Sequence, residues 1–139
     1  MLDNLLVPEI NGSNLENAIK HYCDRLQELS VFRFLYNVEI TGFLSQQLAE
    51  ESYKIITETI TNGMKHSKGT VIEVYVDIVE NNLQILIEDN GMGFSENKVS
   101  KKSLGFTSIK NRTSFLQGEL NIESRKYKGT KVSIKIPTS

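Results

Sequence analysis

Two alternating runs constrain this chain more than any other feature. Ile72, Val74, Val76 and Ile78 put an apolar side chain at every second position, and after Glu80-Asn81-Asn82 the rhythm returns at Leu83, Ile85 and Ile87. Alternation of period two marks a strand with one face buried, and two such strands joined by a short polar turn form an antiparallel hairpin. Counting on in twos from Ile87, the next residue on the apolar face is Asp89, within the stretch IEDNGMGF. An unpaired buried carboxylate costs several kcal/mol, so Asp89 needs a donor. Gly91 and Gly93 follow it and permit backbone shapes, or close approaches, that a side chain would block.

The rest of the chain arranges itself around that hairpin. Ser13-Asn14-Leu15-Glu16 has the form of a capping box, and the helix it opens carries Leu15, Ile19, Tyr22, Leu26 and Leu29 on one stripe. Cys23, the single cysteine, lies in that helix and reads as buried filler; it has no partner for an internal disulfide, which fits a reducing compartment. Phe32, Phe34, Tyr36, Val38 and Ile40 alternate as a strand, and Ser45 can cap a second helix running to about His66. Residues 94–103, FSENKVSKKS, are polar and aperiodic and read as a loop. A third helix is expected from about Leu104 to Gln117, with Gly118 as its stop, then strands near 119–125 and 130–136 joined through Lys128-Gly129.

Hairpins in this order argue against a doubly wound parallel sheet. The expected fold is α/β, a two-layer sandwich with about three helices on one face of a mixed, mostly antiparallel sheet. At 139 residues it reads as a single domain, 1–139, long enough for a hydrophobic core. Sixteen basic against seventeen acidic residues give no bulk pull toward nucleic acid. MLDNLLVPEI lacks the apolar core of a secretory signal, and no run approaches the roughly 18 to 20 apolar residues that span a bilayer, so no direct membrane contact is expected of this segment.

The second helix has two faces. Tyr53, Ile56, Ile60 and Met64 recur at helical spacing and form a core stripe, while Glu58, Asn62 and Lys65 line up in a different row. That row offers a carboxylate, an amide oxygen and an ammonium. A hard cation such as Mg²⁺ takes oxygen ligands and usually keeps waters and substrate phosphates, and a lysine one turn further on can meet phosphate. A plain solvated face would carry the same residues. Gly63 costs about 1 kcal/mol against alanine inside a helix, which points to close approach by a neighbour, whether ligand or packing contact.

Taken in order, the chain holds E-x-x-x-N-x-x-K-H from Glu58 to His66 and D-x-G-x-G from Asp89 to Gly93. S-L-G-F follows from Ser103 to Phe106, and K-G-T-K-V from Lys128 to Val132. This series resembles the ATP-binding domain shared by gyrase, heat-shock chaperones, mismatch-repair ATPases and histidine kinases, the Bergerat-type fold. The Lys-His ending and short loop resemble the sensor histidine kinases that pair with NarL-type response regulators. The resemblance implies ATP and Mg²⁺ as cofactors. It implies that Asp89 accepts a hydrogen bond from the adenine amino group, with Gly91 and Gly93 letting the chain turn against the base. Asn62 matches the Mg²⁺ ligand, and Glu58 the acidic residue that orients a metal-bound water or helps the transfer. Lys65 and His66 match positions near the phosphates. Thr130 matches a threonine supporting Asp89 and the adenine pocket, although an ordinary strand residue would look the same.

Residues 94–103 correspond to a lid, and Ser103-Leu104-Gly105 stands where a helix start would offer free N–H groups to phosphate, with Leu104 and Gly105 as the binding positions. Lys98, Lys101 and Lys102 add positive charge; solubilising loop lysines and a plain Ser103 N-cap are the other reading. Two departures stand out. The family usually has G-x-G where this chain has Ser103-Leu104-Gly105, which stiffens the lid's first hinge. The family's accepting histidine precedes this domain and is followed by an acid, whereas His21 is followed by Tyr22 and reads as a surface or interface histidine. The expected partners are therefore a phosphoacceptor and dimerisation domain of the same kinase and, downstream, a response regulator. The isolated domain is expected to be cytoplasmic and monomeric. A free-standing anti-sigma-type serine kinase of the same fold, and a degenerate module that has lost nucleotide, are the rivals.

Overall fold

The computed structural model describes residues 8–66, 68–93 and 99–139, leaving out the side chains of His66 and of residues 99–105. Strands β2 (Val71–Val79) and β3 (Asn82–Asp89) form the hairpin that the alternation predicts, paired from Val79 opposite Asn82 to Ile72 opposite Asp89. Glu80 and Asn81 both take positive φ, 52° and 64°, as a two-residue type I′ loop requires. Ile72, Val74, Val76, Leu83, Ile85 and Ile87 are all buried.

The sheet order is β1-β2-β3-β5-β4, with β1 (Arg33–Val38) parallel to β2 and the other neighbours antiparallel, including β5 (Thr130–Pro137) and β4 (Glu119–Ser124). β1 reaches its parallel neighbour β2 through a helix, and a helical crossover is what a parallel pair needs. Three helices, α1 (Leu15–Leu29), α2 (Gln46–His66) and α3 (Val99–Phe115), pack with the sheet around one core. The expected α/β sandwich is the observed one.

The helix α1 buries Leu15, Ile19, Cys23 and Leu26, but Leu29 is 56% exposed. Its capping box does not form. Asn14 is the N-cap and makes no side-chain cap bond, and Ser13 Oγ donates to Asn11 Oδ1. Glu16 instead accepts the Ile40 N–H at 2.7 Å, just as Gln27 accepts the Phe34 N–H at 2.7 Å. β1 is an edge strand, and the outward N–H groups on it and just beyond its end compete for these acceptors.

Helix α2 begins as expected, the Leu48 N–H donating to Ser45 Oγ at 3.1 Å. It buries the predicted Tyr53, Ile56 and Ile60, and also Ala49, Ser52, Ile55 and Thr59, because α1 and α3 flank it while the sheet lies beneath. Among the described residues no helix is long and apolar enough to cross a membrane.

At α3 the structure corrects the sequence reading at both ends. The helix starts at Val99, not Leu104, so the expected loop up to 103 is helical from Val99 onward. Polar residues without apolar period fit a solvated first turn as well as a loop, and lysine is a good helix former. At the far end the left-handed residue is Gln117 (φ 59°), not Gly118. The Gln117 N–H donates to the Ser114 carbonyl and the Gly118 N–H to that of Thr113, both at 2.9 Å, which is a Schellman closure. Gly118 is needed for space, since a Cβ there would lie 2.9 Å from Lys135 O.

Candidate functional site

Asp89 ends β3, facing Ile72 on β2 and Thr130 on β5, and Thr130 faces Ser124 on β4. Partners in an antiparallel pair share a sheet face, so these four form one row on the helix side. Asp89 is buried, as its place in the alternation predicts, and the Gly91 N–H donates to Oδ1 at 2.9 Å. Burial pushes the carboxyl above the usual carboxylate range, and backbone hydrogen bonds from Gly91 and Thr130 oppose that in part. Helix α2 comes down on it at Gly63, where a Cβ would stand 3.4 Å from Ile72 Cδ1 and 3.6 Å from Asp89 Oδ2. Both are ordinary contacts.

The loop beyond Asp89 is locked to the last hairpin. Gly93 has φ +63°, and a Cβ on it would collide with the Arg125 carbonyl. A Cβ on Gly129, at φ +82°, would collide with the carbonyl of Asp89 itself. The Tyr127 N–H donates to the Met92 carbonyl, completing the joint. Gly91 is buried within it. Thr130 Oγ1 lies 2.9 Å from Ser124 Oγ, so its side chain pairs along the row while its backbone serves Asp89.

Asn90 escaped the sequence reading. Its Oδ1 accepts the N–H groups of Thr70 and Val71 at 2.8 and 2.9 Å, and its Nδ2 donates to Thr70 Oγ1 at 3.0 Å. It pins the start of β2 beside the end of β3. An asparagine directly after a strand, able to bond backbone groups locally, was the available signal.

On α2, Glu58 and Asn62 are half-buried and Lys65 is exposed. Glu58 Oε2 accepts a hydrogen bond from Ser108 Oγ of α3 at 3.0 Å, and Arg112 Nη1 of α3 meets Glu51 Oε1 at 2.9 Å. Among the described residues no cluster of three or more His, Cys, Asp or Glu could hold a metal alone. The Asn62 amide oxygen is of the ligand type that a hard cation accepts. Leu104 and Gly105 lie in the second turn of α3, so the expectation that they sit at its start is corrected. Any free N–H groups there belong to the turn opened by Val99. The lid residues 94–98 and the side chains of His66, Ser103 and Leu104 lie outside the described residues.

Comparison with known proteins gives the family of the chain. Residues 48–139 match the family model of the histidine kinase-, DNA gyrase B- and HSP90-like ATPase. The chain is 32% identical over 130 residues to the sensor protein NarQ homolog of Haemophilus influenzae, covering 92% of this chain and 23% of that protein. It is 36% identical over 125 residues to the sensor histidine kinase ComP of Bacillus subtilis, covering 88% of this chain and 16% of that one. With LiaS of Bacillus subtilis the identity is 26% over 128 residues, covering 92% of this chain and 35% of that protein. The chain thus spans about a third or less of these relatives. The histidine kinase domain of the Erythrobacter litoralis EL346 blue-light activated kinase shares the fold, with a TM-score of 0.78 at 18% identity, covering 99% of this chain and 72% of that one. The chain belongs to the histidine kinase-, DNA gyrase B- and HSP90-like ATPase family.

Proposed function

We propose that this chain is the catalytic ATP-binding domain of a two-component sensor histidine kinase. It would hold Mg²⁺-ATP and present the γ-phosphate to a histidine on a separate phosphoacceptor domain. The observation that carries the reading is the buried Asp89 carboxylate at the end of β3, held by the backbone N–H groups of Gly91 and Thr130. An amino group on a flat base is a fitting donor for it. Thr130, Gly91 and Gly93 shape the base end of the site. On α2, Asn62 would hold Mg²⁺ through its amide oxygen, with phosphates and water completing the shell; the cation would neutralise phosphate charge. Lys65 and His66 would face the phosphates.

Phosphoryl transfer depends mainly on positioning and charge neutralisation, and the residues named above are suited to that work. Glu58 would orient the attacking group and take its proton. The names of the relatives, sensor kinases, favour a histidine acceptor and a response regulator beyond it. The test is transfer from γ-labelled ATP to a phosphoacceptor helix joined to this chain. Label that is lost in acid and survives alkali supports a phosphohistidine. Acid-stable label would indicate the serine kinase instead, and absence of ATP binding the degenerate module.

A further inference from the structure

Two polar links register α3 on α2. Glu51 pairs with Arg112 and, seven residues on, Glu58 pairs with Ser108, so the partners run backward along α3 as an antiparallel contact requires. Ile109 and Thr113, both buried, face the core beside those links. A hydroxyl in mid-helix commonly bonds back to the carbonyl four residues earlier. Thr113 does so to Ile109 and Thr59 to Ile55, each at 2.7 Å. Ser108 departs from that habit and spends its proton on Glu58 Oε2. The donor comes from a different helix, so the carboxylate's orientation depends on how α3 is seated.

We propose that Ser108 is a positioning residue for Glu58, holding its carboxylate in the rotamer used for phosphoryl transfer. A reacting group held by packing and by a fixed hydrogen bond reaches its geometry without a search, and small misplacements are costly in rate. The inference rests on Glu58 acting in that transfer. Ser108 itself touches the carboxylate and is assigned no contact with nucleotide.

Hydrolysis of Mg²⁺-ATP, with water taking the place of the acceptor, is the expected readout. Water oxygen bonds to the γ-phosphorus, the bond to the β,γ-bridging oxygen breaks, ADP and phosphate leave, and the water's proton passes to Glu58. Ser108→Ala is expected to lower the single-turnover rate constant about tenfold. The Kd for Mg²⁺-ATP should stay within about twofold of the parent. Ser108→Thr, which keeps the hydroxyl, should recover most of the rate. Glu58→Gln should lower the rate further, and adding Ser108→Ala to it should change nothing more.

A Ser108→Ala protein that melts earlier but turns over at the parental rate would overturn the inference, leaving Ser108 a structural contact. So would full additivity in the double variant. If the parent binds Mg²⁺-ATP but Glu58→Gln hydrolyses it as fast, the role of Glu58 falls and Ser108's with it. If the parent binds no ATP, the underlying assignment fails first, at the binding step.

Discussion

The carbonyl of Asp89 stands where a side chain on Gly129 would have to go. The turn of the last hairpin is thereby pressed against the backbone that carries the buried carboxylate, and Thr130, the next residue, pairs directly with Asp89. The end of the sheet and the candidate base pocket are one structure.

Gly129→Ala should therefore cost more than about 2 kcal/mol, since it combines a backbone collision with a left-handed φ. Gly42 is the control, with φ +86° and nothing within 4 Å of a Cβ. Gly42→Ala should cost only the conformational term, about 1 kcal/mol. Urea unfolding of both variants checks this. Equal losses would mean that Gly129 is there for its φ alone.

Burial of the Asp89 carboxyl makes stability depend on pH. Burial raises its pKa in the folded chain, so the folded state binds that proton more tightly than the unfolded one. Stability attributable to Asp89 then falls as pH rises from the unfolded toward the folded value, and stays lower above it. Glu16 has the opposite sign: the Ile40 N–H, then Lys20, hold its carboxyl below the usual range. Its contribution is present above the unfolded pKa and lost as pH falls through the lowered one; solvent screening keeps it small. Melting curves between about pH 3 and 7 should show Asp89→Asn more stable than the parent at neutral pH, with the advantage fading in acid. Glu16→Gln should be less stable at neutral pH, and that deficit should also fade in acid.

Gly63→Ala tests why a glycine stands inside α2. The contacts a methyl would make there are ordinary ones, so the helix should gain about 1 kcal/mol. Nucleotide affinity should stay within about twofold, or under 0.5 kcal/mol. A strong loss of affinity would show that Oδ2 of Asp89 needs the open space.

Asn62 is expected to affect nucleotide binding more with metal than without it. Asn62→Ala should weaken ATP binding in Mg²⁺ by about tenfold, roughly 1.4 kcal/mol, and leave binding in excess chelator nearly unchanged. Calorimetric titrations under both conditions separate this from a solvated helix residue, for which neither would change.

Much of this was readable because strand alternation is local. The period through Leu83, Ile85 and Ile87 aimed Asp89 at the core, and the structure buries it there. The three-and-four spacing of Tyr53, Ile56 and Ile60 likewise found one buried stripe of α2. Ile55 and Thr59 were missed because α2 packs against α1 and α3 as well as the sheet, which no spacing within α2 announces. Glu16 looked like half of a capping box and went to Ile40, 24 residues away, since a free N–H just past the end of the edge strand was the stronger claimant. The Ser108–Glu58 bond spans 50 residues, and only the packed helices bring it about. The start of α3 was misjudged because polar residues carry no period to separate a loop from a solvated turn.

The central claim is that Asp89 reads an adenine ring, and competitive calorimetry of ATP against GTP in Mg²⁺ tests it most directly. A carboxylate acceptor favours the adenine amino group and repels the guanine carbonyl, so ATP should bind at least about tenfold more tightly, a difference near 1.4 kcal/mol. Asp89→Asn should weaken ATP binding by a similar factor and narrow the preference. Equal affinity of the parent for the two nucleotides, or no measurable binding of either, would contradict the account.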